Sequence, residues 1–242
     1  MKSKIRVLAL LNIAFFAVAF AASAFSAEKG VMTIKINPGK NYQDVKKIGF
    51  LSLKLIPQMA VWVENADGKL VKTIYVTKKA ARSEWGGGIN LNRPEALPVW
   101  AFKRGIPNSL GGFMPGGKNL VPDAETGATP TALFDKKWNV PTDLPDGKYK
   151  VLVEVNASFD YNDVYSEKLK KDDPHYNGVN GQPSLVLAGE ISISSSPSRI
   201  VLQNAGKGDP QGKSGNLDPD LTGMTTALNL LEQVTVDYTP IK

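Results

Sequence analysis

The chain has 242 residues, 42% of them hydrophobic, a formal net charge of +6, no cysteine and a single histidine. Without cysteine there are no disulfides, thiolate metal sites, iron–sulfur clusters or c-type haem attachment. With only His175, most zinc sites are removed as well, and a single histidine argues against a Ser-His-Asp triad. Three of the cations, Lys2, Lys4 and Arg6, precede the first apolar run, so the remainder carries only +3, too little to point to a nucleic-acid partner.

The opening has the three-part layout of a secretory leader. The cations come first, residues 7–22 are apolar except for Asn12, and Ala22-Ser23-Ala24 is a small-x-small cleavage site. The run is short for a permanent span and a cleavage site follows it directly. The expected organisation is therefore a signal peptide over 1–24 and one exported domain over 25–242, periplasmic and soluble after cleavage. A chain of that size can bury a core without staples.

The rest reads as short strands joined by turns. Residues 59–63 alternate, Asp67-Gly68 turns, and 70–76 alternate again, which is a hairpin signal because glycine accepts positive φ. The segment 80–130 is rich in Gly and Pro and carries Trp85, Trp100, Phe102 and Phe113. A stretch this long without strand pattern is often functional. Within it, 94–103 is a candidate short helix. Residues 131–140 read as a strand, and Asp146-Gly147 turns into another on which Tyr149, Val151, Val153 and Val155 share one face. Strands follow over 184–194 and 199–203. Met224, Leu228 and Leu231 then have helical spacing, with Thr222 as a cap, before a last strand over 234–238. The fold class this implies is all-β: an Ig-like β-sandwich with a long Gly/Pro-rich loop insertion and a short C-terminal helix.

Two groups of residues suggest chemistry. Asp160, Asn162 and Asp163, with Asp218 and Asp220, are oxygen ligands close in sequence, but a calcium loop needs a denser spacing broken by glycine. His175, among Asp172, Asp173 and Tyr176, reads as an exposed loop residue. Asp123-Ala124-Glu125-Thr126-Gly127-Ala128-Thr129 is the sharper feature. It resembles the flavinylation motif of extracytoplasmic flavoproteins: Asp, two variable residues, Ser or Thr, Gly, Ala, then Ser or Thr. The resemblance implies that a periplasmic FMN transferase, with FAD as donor, links FMN through its phosphate to the last hydroxyl, here Thr129. In physical terms Gly127 lets the backbone bend and Ala128 leaves the approach open, while Asp123 is placed to help hold the metal that accompanies the donor. Trp85, Trp100 and Trp138 are rings that can stack on a flavin. The strand pattern puts Trp138 in the core, and Trp100 joins Asp123, Thr126, Gly127, Ala128 and Thr129 in the expected cofactor set.

A second resemblance covers more of the chain. Asp67-Gly68-Lys69-Leu70-Val71-Lys72-Thr73-Ile74 resembles the opening hairpin of the Ig-like module of flagellar hook-capping proteins. Trp138, followed by Leu144-Pro145-Asp146-Gly147-Lys148-Tyr149, resembles its closing hairpin. The chain departs from that module at Asn139 and Val140 and in the insertion over 80–130. Taken together, these segments are similar to an uncharacterised periplasmic domain-of-unknown-function family (DUF twenty-two seventy-one), whose members are often mislabelled as flagellar. The resemblance implies a neighbourhood of flavin transferases and a membrane redox protein as partners. The alternative expectation is a cofactor-free extracytoplasmic Ig-like binding or assembly module.

Overall fold

The computed structural model describes residues 27–48, 50–85, 88–89, 93–116, 119–122 and 125–242. The leader and its cleavage site lie outside the described residues, as do Asp123 and Ala124. In chain order the strands are β1 (Glu28–Pro38), β2 (Asp44–Ile48), β3 (Leu51–Leu55), β4 (Gln58–Glu64) and β5 (Leu70–Thr77). Helix α1 (Lys78–Arg82), β6 (Glu84–Trp85), β7 (Gly88–Ile89), helix α2 (Pro98–Arg104) and β8 (Thr126–Gly127) make up the insertion. The remaining strands are β9 (Phe134–Pro141), β10 (Gly147–Asn156), β11 (Leu185–Ile193), β12 (Ser198–Val201), β13 (Gln203–Lys207) and β14 (Leu231–Pro240).

Two sheets form an all-β sandwich. One runs β12-β14-β1-β9 and the other β13-β11-β10-β4-β5-β8, while β2-β3 and β6-β7 are separate hairpins. The main core fills the space between the sheets. Met32, Ile34 and Ile36 of β1 and Val234, Val236 and Tyr238 of β14 face Val61, Val63, Val151, Val153 and Val155 of β4 and β10. The period-2 face Tyr149, Val151, Val153 and Val155 is inward, as the alternation predicts. The Asp67-Gly68 hairpin joins β4 to β5, with Gly68 at φ 73°.

The insertion does more than connect strands. Every residue of β4 is buried, as are the last six of β10, so the six-stranded sheet is covered on both faces. On its outer face Ala60, Trp62, Val76, Leu152 and Val186 meet Ala80 and Ala81 of α1 together with Ala96, Leu97, Val99, Trp100 and Ala101 around α2. The molecule therefore has a third layer, made of helices and irregular chain, with its own apolar core. The predicted helix over 94–103 is α2, shifted to begin at Pro98, where proline's missing N–H costs nothing, and stopped by Gly105 at φ 64°.

The predicted C-terminal helix is a correction of kind. Thr226–Asn229 forms a single 3-10 turn, preceded by Thr225 rather than capped by Thr222. Met224, Ala227, Leu230 and Leu231 are all buried in the main core. The chain must swing into β14 at Leu231, which leaves no room for a further helical turn.

Candidate functional site

The flavinylation-like motif forms a strap along the edge of the six-stranded sheet. Thr126 and Gly127 are β8, paired with Val76 and Thr77 of β5 in the one parallel pairing among the described strands. Just ahead of it, Glu125 accepts an ion-paired hydrogen bond from Lys72 of β5 at 2.7 Å. Gly127 is required by contact: a Cβ there would stand 2.9 Å from the Tyr75 ring.

Two buried tyrosines then hold the backbone on either side of Thr129. The Tyr75 hydroxyl donates to the Ala128 carbonyl at 2.9 Å, and the Tyr42 hydroxyl donates to the Pro130 carbonyl at 2.9 Å. Burial pushes the Tyr42 phenol up to about 12 and raises that of Tyr75 further, the nearby Tyr42 adding to the second effect. Both therefore remain hydrogen-bond donors across the physiological range. Thr129 itself is partly exposed, and its hydroxyl makes no hydrogen bond among the described residues. Ala128 is exposed. The main chain on either side of Thr129 is thus fixed, while its hydroxyl is unengaged among the described residues.

One cation stands close by. Lys136 of β9 places its ammonium 4.3 Å from the Tyr75 ring centroid and 3.8 Å from the point a Cβ on Gly127 would occupy. Its pKa is lowered by desolvation, with Asp135 opposing. An anionic group on this strap would meet a positive charge there.

The structure does not bring every expected residue to this strap. Trp100 sits at 0% exposure in the third layer, its indole N–H donating to Thr73 Oγ1 at 3.1 Å. With no free ring face it is not a stacking platform, and its assignment to the cofactor set is corrected on that ground. The apolar outer face of β4 and β5 needs a cover, and the indole supplies it. Trp138 is in the main core. Thr126, Gly127, Ala128 and Thr129 are contiguous on the strap, and Asp123 lies outside the described residues.

The oxygen-rich loops are engaged internally. Asp160 accepts a hydrogen bond from Thr226, Asn162 Oδ1 accepts the N–H groups of Val164 and Tyr165, and Asp218 pairs with Lys207 at 3.3 Å. Among the described residues no three His, Asp or Glu side chains gather as ligands. His175 is half exposed beside Asp173 and stacks edge-on against Tyr165.

Sequence reasoning missed Tyr42, Tyr75 and Lys136. Tyr75 was visible as a strand residue, but nothing local to it announces a partner in the motif. Comparison of the chain with family models, with curated proteins and with solved structures finds no match.

Proposed function

We propose that this is an exported electron-transfer protein carrying one FMN linked through its phosphate to Thr129. The observation that carries the reading is the pairing of an unengaged Thr129 hydroxyl with backbone carbonyls at 128 and 130 held by buried tyrosines. A hydroxyl that must enter another enzyme's active site has to be free, and a fixed backbone lowers the entropy lost on docking. In the modification, Thr129 Oγ forms the bond to the flavin-side phosphorus of FAD. The pyrophosphate P–O bond breaks, AMP leaves, and the hydroxyl proton passes to solvent or to a base of the transferase. The product is a phosphodiester with one remaining negative charge, and Lys136 supplies the complementary cation beside the strap.

Bound flavin supplies the redox chemistry. The chain's part is to hold the tether at a sheet edge, where a ring can reach both a donor and an acceptor. Covalent linkage keeps the cofactor from diffusing away outside the membrane. The partners in this reading are a periplasmic FMN transferase and a membrane redox protein that delivers electrons.

Intact-mass spectrometry of the protein isolated from cells with an active transferase tests the reading, alongside Thr129→Ala. A species heavier by one FMN less one water, fluorescent after denaturation and absent from the variant, supports it. The unmodified mass in such cells overturns it and favours a cofactor-free Ig-like binding or assembly module.

A further inference from the structure

A second site stands at the end of the sandwich where β4 begins and β10 ends. A cavity of about 730 Å³ opens between β3, the start of β4, α1 and the loops that follow β10. That volume suits a small organic ligand.

Its inner wall is built around Trp85, which is 5% exposed. The Arg93 guanidinium lies 4.6 Å from the centroid of that ring. Arg93 is in turn fixed by Glu95 at 3.4 Å, by Ser158 and by Asn180. The indole N–H of Trp85 is buried and has no hydrogen-bond partner among the described residues. Phe159 and Tyr176 add two further rings to the lining. Phe159 is held at φ 61°, a left-handed conformation that a bulky aromatic residue adopts only when the surroundings impose it. Its N–H is tied to the Val179 carbonyl at 2.7 Å, and Asp160 bridges to Gly181 next to it. The strained backbone there keeps the Phe159 ring in the wall.

The charge around the cavity is one-sided. Lys54, Lys79, Lys171 and Lys213 come from four separate segments and line the same space. None of the four forms an ion pair among the described residues. The one carboxylate in the lining, Glu95, is already matched by Arg93. Four exposed lysines lining one space, with no acid paired to them among the described residues, give it a positive potential that favours an anion there.

We infer that this cavity binds a small aromatic anion, a planar ring system bearing a carboxylate or phosphate, with the ring against the Trp85, Phe159 and Tyr176 wall and the charge toward the lysines. No residue of the Thr129 strap lines the cavity, so the inference does not rest on the flavin reading; a free metabolite and the ring of a group tethered at Thr129 are the two sources that the test separates.

The test uses Thr129→Ala protein made without a transferase, so that no tethered group competes. Calorimetric titration compares 2-naphthoate with neutral 2-naphthamide and with acetate. Saturable binding of 2-naphthoate is expected, with the amide at least about tenfold weaker and acetate weaker still, because ring and charge are both read. The exposed pair Lys79→Met/Lys213→Met should weaken naphthoate about tenfold and reduce the salt dependence, with unfolding unchanged. If naphthoate shows no saturable binding up to roughly 10 mM, or the amide binds equally, or the lysine variant binds as before, the site is not an aromatic-anion site. If naphthoate binds to Thr129→Ala but not to protein bearing a covalent adduct, the natural occupant is the tethered ring. Equal binding to both forms assigns the cavity to a free ligand.

Discussion

Glu154 Oε2 accepts the backbone N–H of Trp100 at 2.8 Å, so a strand residue caps a helix that has no side-chain cap of its own. Its other oxygen accepts Val99 N–H at 3.2 Å and the Ser184 hydroxyl at 2.6 Å. Gly208 leaves the space for this cluster, since a Cβ there would stand 2.4 Å from Ser184 Oγ and 3.2 Å from Glu154 Oε1. The third layer is docked on the six-stranded sheet through one buried carboxyl as well as through apolar contact.

That carboxyl makes stability depend on pH. Burial pushes Glu154 up from 4.5 to about 7, against the pull of its three hydrogen bonds. The folded state therefore holds this proton more tightly than the unfolded chain does. The stabilisation is fully present below pH 4.5 and is lost as pH rises through about 7. Urea unfolding at pH 4.5 and pH 8 should show a drop on the order of 3 kcal/mol at the higher pH. Glu154→Gln should remove most of that slope. Glu95 and Asp160, also raised by burial, leave a smaller remainder of the same sign. A slope unchanged in Glu154→Gln would rule Glu154 out as its source.

Trp100 is a packing residue, and its variants should behave accordingly. Trp100→Phe loses the hydrogen bond to Thr73 and should cost about 1 kcal/mol, while Trp100→Ala should cost about 3–5 kcal/mol. Neither change touches the Thr129 strap, so if that residue carries the proposed flavin, the mass of the adduct and the spectrum of the folded protein should match those of the parent. A shifted flavin spectrum in Trp100→Phe would restore the ring to the cofactor's surroundings.

Gly127→Ala forces a methyl to within 2.9 Å of the Tyr75 ring. Either the strap lifts or the ring turns and gives up the Ala128 carbonyl. The cost should be about 1–3 kcal/mol. Hydrogen exchange should speed up at Thr126 and Gly127, whose parallel pairing with β5 is short. Tyr75→Phe should reproduce the faster exchange without the clash, because it removes only the hydrogen bond. Unaltered exchange in both variants would mean that Tyr75 does not hold the strap.

The parts of the fold carried by local pattern were legible in the sequence. The Asp67-Gly68 turn and the inward face of β10 can be read from letters a few residues apart. Strand β1 went unread, although Met32, Ile34 and Ile36 alternate in it. The third layer was hidden for a physical reason: the outer face of β10 carries Lys150, Glu154 and Asn156 and so reads as facing solvent, although Glu154 and Asn156 are buried, and the cover is a few apolar residues in a stretch that otherwise looks like loop. The spacing of Met224, Leu228 and Leu231 suggested a helix because it satisfies burial on a turn as well as on a helix. At the strap, the motif that ends at Thr129 is visible in seven consecutive letters. The hydrogen bonds that Tyr42 and Tyr75 make to it are not, because they exist only once distant segments meet. The same holds for the four lysines of the cavity.

Strand β1 lies between β14 and β9, with Gly30 opposite Pro240 on one side and Val140 on the other. The first of the described strands thus finds one of its neighbours only when the last of them is available. Ring closure over nearly the whole chain must precede completion of the four-stranded sheet, which makes assembly slow and late. Until β14 arrives, that side of β1 is an open edge, while the six-stranded sheet, which uses neither strand, can already close.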